Sequence, residues 1–451
     1  MSVDVHEGLD RLAQQAPVGP PPGDLWRRGV RRRRRTVATA AAPGVLAVVA
    51  VGTGAGLVAD RADRWADPEP AADASRDAMP AHVEAPSPWL RDDSSKGPLG
   101  RAAIVAGAER STWLHGTVQA VFGVSARTGA YRFLDLPDRV TGDGLGLDPA
   151  VVLSPGGTHL AYWKGGSVRT SKGEPTAGVT GVVDYDLATG RVSRFRLPAR
   201  MGFEPKRLTW AGEDRLVVEA GRVTHRSSDT LGSTLDPPRV WEPATGRALA
   251  HDRTGLLDAT GVVSLPGGGI AGTIGRDWRT WNTSLSVTGT HPVRGLETGE
   301  RVVGSSVSPG RGMVALLAQD ADTQVVRLLV APVPSDRRGP LLLQPVSAGP
   351  GVRQVLGWSD ERHVVAETSS GTSRRAWAID VTDGKRRLVS RVDGLTWLPG
   401  VAYASDLWAG GSVARPGAPY APDPRLVALG GAAAAGLLVG VVVWRRRRAL
   451  L

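Results

Sequence analysis

Two long runs without a charge stand out from an otherwise mixed chain of 451 residues. The first, TVATAAAPGVLAVVAVGTGAGLVA, covers residues 36–59; the second, LVALGGAAAAGLLVGVVVW, covers residues 426–444. As helices rising about 1.5 Å per residue, the first spans a hydrocarbon core of about 30 Å with some tilt and the second just reaches across. Both are predicted as transmembrane helices, with Pro43 near the start of the first, where a helix tolerates it best. Between them the pattern changes to short alternating apolar runs separated by Gly- and Pro-rich turns.

Those runs repeat. VVLSPGGTHLAYWK (residues 151–164) has relatives in LTWAGEDRLVVEA (208–220), VVSLPGGGIAGTI (262–274) and SSVSPGRGMVALLA (305–318). VLGWSDERHVVAE (355–367) and, more loosely, LTWLPGVAYAS (395–405) continue the series. Each reads as a strand, a tight turn and a second strand, which is a β-hairpin. A second hairpin alternates with the first and carries Thr-Gly or Asp-Gly between its strands: VSARTGAY, VDYDLATGRV, VWEPATGRAL and AIDVTDGKRR. Their glycines, Gly129, Gly190, Gly246 and Gly384, are separated by 61, 56 and 138 residues, and the last interval leaves room for about three units. Two hairpins per 40 to 60 residues is a four-stranded blade, so the fold class is all-β, a β-propeller flanked by two transmembrane α-helices. Six hairpins predict six blades, with seven the alternative. A closed ring needs the first and last strands to share a blade, and AAIVAGAE (102–109) and VAYASDLW (401–408) are the strands available for that. Ten of the fourteen Trp lie in this region, where inter-blade packing is their expected role.

The Ser-Pro-Gly-Gly turn before an apolar run, followed by the Asp-x-x-Thr-Gly hairpin, resembles the TolB-like and tryptophan-aspartate-repeat propellers across residues 100–410. Gly156 stands at the Asp of the family's Ser-Pro-Asp-Gly pattern, and the turn with Arg311 lacks that Asp too. The resemblance implies the propeller fold and leaves ligand and activity open.

Charge fixes the orientation. The net charge is +11, and the seven arginines among residues 27–35 together with Arg445, Arg446, Arg447 and Arg448 account for all of it. A nucleic-acid-binding domain spreads its cations over a folded face, whereas here they abut two apolar runs, so nucleic acid is not an expected partner. Arg31, Arg32, Arg33, Arg34 and Arg35 precede the first span and the other four follow the second. Positive flanks stay inside, which places both termini in the cytoplasm and residues 60–425 outside the plasma membrane. The long basic leader without an Ala-x-Ala site argues against a cleaved signal peptide, and RPGAPYAPDP lacks a sorting motif. Abundant Ala, Gly and Arg with few Lys suggest a high-GC bacterium of actinobacterial type. The domains expected are a cytoplasmic tail (1–35), span one (36–59), a linker (60–100), the propeller (101–410), a linker (411–425), span two (426–444) and a basic cytoplasmic tail (445–451). Gly52 with Gly56, and Gly436 with Gly440, sit one turn apart in the spans and suit close helix packing.

The search for chemistry finds no nucleophile elbow, zinc-protease, phosphate-loop or calcium-loop motif. With no Cys there are no disulfides, thiolate metal sites or cysteine nucleophiles. No catalytic, metal or cofactor residues are assigned and no cofactor is expected. TGDGLGLD (141–148) reads as a blade-connecting loop, His159 as a strand residue, and Asp184 and Asp186 as turn residues. In the tail, Val5, Leu9, Leu12, Ala13 and Ala16 can form one face of a short helix that docks on a cytoplasmic partner. The sequence therefore reads as a two-pass membrane protein displaying a propeller for binding, sensing or scaffolding an envelope ligand. Its alternatives are an envelope hydrolase or lyase with an axial site, and a membrane-bound regulator signalling through its N-terminal tail.

Overall fold

The computed structural model describes residues 76–90, 97–112, 116–140, 151–227, 230–250, 255–347, 349, 351–395 and 401–448. The tail, Arg31 to Arg35, the first span with Gly52 and Gly56, and the loop 141–148 lie outside these residues.

Why the middle of the chain forms sheets is visible in Met313–Asp320, MVALLAQD. Val314, Leu316 and Ala318 pack in a cluster shared with Ala271, Trp278 and Val293 of the preceding sheet. Ala315 and Leu317, on the opposite face, pack with Trp358, Val364 and Ile379 of the following sheet. A strand buried on both faces reads as a continuous apolar run, and each fully buried Leu contributes about 1.5–3 kcal/mol.

Six four-stranded antiparallel meanders follow one another along the chain. Blade 2 runs through Val152–Leu153, His159–Arg169, Pro175–Asp186 and Val192–Arg196. Blade 3 begins with Phe203–Trp210 and Leu216–Arg226, and the pairing of Phe203 with Val179 joins blades 2 and 3 into one nine-stranded sheet. Blade 4 starts at Thr260–Ser264, blade 5 at Glu300–Val307 and blade 6 at Val352–Trp358. The first strand of each touches the first strand of the next, and Ser405–Gly410 completes the circuit from blade 6.

Blade 1 closes the ring. Ala102–Thr112, Gly116–Ser125 and Tyr131–Leu134 supply three strands, and the innermost comes from the far end of the chain, Ala402–Tyr403. Ala402 pairs with Val105 and Tyr403 with Ile104, so the two segments expected to share a blade do so. The loose sixth hairpin, 395–405, thus contributes a closing strand to blade 1.

The outer hairpins share one turn chemistry. Asp186 accepts from the N–H of Ala188 and Thr189 and from the Thr189 hydroxyl, and Asp380 treats Thr382 in the same way; Asp320 does the same for Thr323 in the turn between the second and third strands of blade 5. In blade 3 the Thr245 hydroxyl donates to Glu242. Gly129, Gly190, Gly246 and Gly384 occupy the left-handed position of their turns, each with φ near +72°. In the long gap of that series Leu285, at φ +57°, takes the position in blade 4, while Gln324, at φ +59°, has the same backbone in the turn between the second and third strands of blade 5. A glycine-based pattern passes over both because the side chains differ while the backbone is the same.

The expected linkers are partly structured. Met79–Pro80 pairs in parallel with Ser412–Val413, and His82–Glu84 adds a fifth strand to blade 6 beside Arg386–Asp393. Met79 and Val83 are fully buried, and the Ser87 hydroxyl donates to the Ala421 carbonyl at 2.6 Å. The apolar anchors of this strap are too few and too far apart to show periodicity, which is why its composition reads as solvated linker.

The C-terminal helix α1, Pro424–Arg448, forms a separate unit. Asp423 accepts the N–H of Arg425 at 2.8 Å, and Pro424 occupies the first turn, a regular helix start. An 18-residue window within Pro424–Trp444 has a mean hydropathy of 2.4, and Leu426, Leu438 and Val443, on different faces, are all exposed. Among the described residues it is the one helix long and apolar enough to cross a membrane. Gly436 and Gly440 lie on it with no atom near the space a Cβ would take.

Candidate functional site

The turns that follow the inner strands meet around the centre of the ring, and their sequences determine what they do there. In blade 2, Ser154-Pro155-Gly156-Gly157 closes a turn in which Gly157, at φ +78°, lies against the Ala102 carbonyl, where a Cβ would collide. The Ser154 hydroxyl accepts the N–H of Thr158 and of His159, both at 3.1 Å. It donates in turn to Glu213 of blade 3 at 2.8 Å. Glu213 also accepts from the Gly156 N–H and from the Thr158 hydroxyl. The same joint recurs between blades 5 and 6, where Glu361 accepts from the Ser308 hydroxyl at 2.6 Å and the Gly310 N–H at 2.5 Å. Ser-Pro-Gly is therefore half of an interblade latch, and the other half is a glutamate three residues after the last residue of the next inner strand (Trp210 to Glu213, Trp358 to Glu361). Between blades 4 and 5 an arginine replaces the acid: Arg311 Nε donates to the Pro266 carbonyl at 2.8 Å.

These turns frame a cavity of about 170 Å³. Its wall includes Pro155 of blade 2, Ser264 of blade 4, Ser306 of blade 5, Trp358 of blade 6, and Ser405 and Asp406. Asp406 is the one ionisable side chain on this wall among the described residues. Its backbone N–H donates to the Pro155 carbonyl at 3.0 Å, which fixes the 405–410 turn against blade 2. Surrounding protein raises the Asp406 carboxyl above its ordinary range, Glu213 adds to the shift and Arg101 opposes it. Arg101 donates through Nε to the Gly156 carbonyl at 2.6 Å and through Nη1 to Asp77 of the N-terminal strap at 2.9 Å.

The residues singled out in the sequence lie elsewhere. His159 Nδ1 is 3.0 Å from Asp184 Oδ1, and its ring is tilted over Trp210 with centroids 5.7 Å apart. Burial disfavours charge on His159, but the bond to Asp184 outweighs it and raises the imidazole above its ordinary value. His159 and Asp184 thus form a structural pair at the seam of blades 2 and 3, whereas Asp186 caps its turn as expected. Glu213, Glu361, Trp358 and Asp406 escaped sequence reasoning. The available signal was an aromatic residue followed three positions later by an acid, in Trp210/Glu213, Trp358/Glu361 and Tyr403/Asp406. Among the described residues no group of three or more His, Asp or Glu side chains is arranged to hold a metal ion.

No protein-family model matches the chain, and no curated protein does. Among solved structures, an oligogalacturonate lyase in complex with manganese aligns at 12% identity over 68% of this chain and 78% of its own, with a TM-score of 0.41. TolB from Acinetobacter baumannii aligns at 12% identity, covering 67% of this chain and 66% of its own, with a TM-score of 0.41. The β-propeller domain of the Trilobed protease from Pyrococcus furiosus aligns at 10% identity over 70% and 86%, with a TM-score of 0.37. Overlaps this partial carry nothing about ligand or activity. The propeller stands on its own strand pairing.

Proposed function

We propose that this chain is a two-pass plasma-membrane protein of a high-GC bacterium that holds its propeller outside the cell as a binding or scaffolding module for an envelope ligand. The observation that carries the reading is α1: an apolar helix, exposed on every face, that follows the propeller and runs into Arg445 to Arg448. A helix without a polar side suits lipid, and its terminal arginines favour the cytoplasm. Residues 36–59, preceded by Arg31 to Arg35, supply the other span, and Gly436 with Gly440 offers a surface on which the two can pack. The enzymatic alternative calls for several acids or imidazoles converging on the axis, and the cavity wall carries Asp406 alone among the described residues. That geometry favours recognition.

The absence of native Cys makes the test direct. Lys172, exposed on the blade 2 hairpin, and Ser2, in the tail, are replaced singly by Cys, and intact cells are treated with a membrane-impermeant maleimide. Labelling of K172C on intact cells, with S2C labelled only after lysis, is expected. Labelling of S2C on intact cells, or protection of K172C until lysis, overturns the topology.

A further inference from the structure

The propeller hands the chain on to α1 at an apolar corner. Tyr420, four residues before Pro424, is 77% exposed, the highest value of any large apolar or aromatic side chain among the described residues. The next residue, Ala421, is pinned: its carbonyl accepts the Ser87 hydroxyl of the N-terminal strap at 2.6 Å. Pro88 beside Ser87 is exposed, and its carbonyl accepts the N–H of Ser111 at 2.8 Å, close to the end of the second strand of blade 1. Ser111 pairs with Thr117 across that hairpin, and Val118, next to Thr117, is 42% exposed. Two hydrogen bonds and one strand pair therefore gather Tyr420, Pro88 and Val118 at one corner of the ring.

Single exposed apolar side chains are ordinary on a soluble surface, and position is what separates this group. Four residues of extended chain span at most about 14 Å, so Tyr420 stays near the start of a helix that is apolar on every face. Tyr and Trp concentrate at the boundary of a bilayer, where the ring meets acyl chains and the polar tip stays among headgroups. Trp444, 53% exposed and followed by Arg445, stands at the opposite end of the same helix, so an aromatic residue flanks the apolar run on each side. The residues that build the corner carry no ionised side chain, so placing them in the headgroup layer strips water from no charge.

We propose that this corner of blade 1 rests in the headgroup layer of the membrane that α1 crosses, with Tyr420 as its interfacial anchor and Pro88 and Val118 beside it. The proposal rests on the reading of α1 as a span and adds to it a lipid contact made by the propeller itself.

The test uses the full-length chain in nanodiscs of phosphatidylcholine and phosphatidylglycerol, with and without a phosphatidylcholine that carries a spin label on its headgroup. Because the chain has no Cys, Val118→Cys, Pro88→Cys and, as a control on the exposed outer turn of blade 2, Ala188→Cys each accept a single fluorophore. The spin label is expected to quench the fluorophore at 118 and at 88 and to leave that at 188 unaffected. Tyr420→Ser, placed in the Val118→Cys chain, removes the anchor and lowers quenching at 118 by roughly half or more. All the substituted side chains are exposed, and a thermal unfolding midpoint equal to that of the parent shows that the ring is intact in each variant. Quenching at 118 and 88 no stronger than at 188, or unchanged by Tyr420→Ser, overturns the proposal while α1 remains a span. A chain that fails to enter the nanodiscs overturns the reading of α1 as a span, and the proposal with it.

Discussion

The Tyr403 hydroxyl donates to Glu367 Oε2 at 2.9 Å, both residues are buried, and the bond ties the closing strand of blade 1 to the second strand of blade 6. It braces blade 6 against the strand that closes the ring by pairing Ala402 with Val105 and Tyr403 with Ile104. Burial raises the Glu367 carboxyl above its ordinary value, against the Tyr403 bond and the charges of Arg374 and Arg353. Burial pushes the Tyr403 hydroxyl well up, so it remains a donor.

Tyr403→Phe removes the donor and leaves a buried carboxylate short of a partner, at a cost of about 1.5–3 kcal/mol in urea unfolding at neutral pH. A loss below about 0.5 kcal/mol shows that the seam does not depend on this bond.

The pH dependence has a definite sign. A carboxyl whose pKa is raised on folding favours the folded state at low pH, and that contribution is lost as pH rises through the folded-state value. Glu367→Gln cannot titrate, so the variant's stability relative to the parent is expected to increase from about pH 4 to pH 7. Parallel stability profiles for the two proteins contradict the assignment.

Each latch glutamate satisfies donors from the neighbouring blade, so Glu213→Ala and Glu361→Ala each cost about 1–3 kcal/mol. The latches join different pairs of blades and share no partner, so the double variant is expected to be additive within about 0.5 kcal/mol. Strong non-additivity, measured by the same unfolding assay, points to coupling around the whole ring.

Half-buried Arg207 and buried Glu219 form a two-point pair, with Nε to Oε1 and Nη2 to Oε2 both at 2.8 Å. Arg207 also donates to the Ala259 and Leu256 carbonyls, which ties blade 3 to the approach to blade 4. Arg207→Ala strands Glu219 without compensation and is expected to cost about 3–5 kcal/mol, whereas the double replacement Arg207→Met with Glu219→Leu recovers much of that loss. Unfolding midpoints for the two variants decide it.

Gln324 is exposed at φ +59° in the turn between the second and third strands of blade 5. Gln324→Gly relieves left-handed strain of about 1–2 kcal/mol and loses part of that to unfolded-chain entropy, for a net gain of about 0.5–1 kcal/mol. Leu285, at φ +57°, is 2% exposed, so its replacement by glycine loses more in burial than the backbone gains and lowers the melting temperature.

Local order was legible in the sequence. The hairpins around Ser154, Trp210, Leu265, Ser308 and Trp358, the glycine turns, the apolar helix at 426–444 and the two closing segments all rest on period-two alternation, turn chemistry and unbroken hydrophobicity, which are properties of neighbouring residues. What tertiary structure alone decided was partnership across the ring. Nothing local distinguishes Glu213, which meets Ser154 and Gly156, from Asp406, left facing a cavity at the same offset from its strand. The difference lies in which turn the preceding blade brings within reach, and that depends on residues more than fifty positions away in sequence. The strap of Met79 to Glu84 has the same character: its strands form because blade 6 and Ser412–Val413 offer free edges to pair with, and no periodicity of their own announces them.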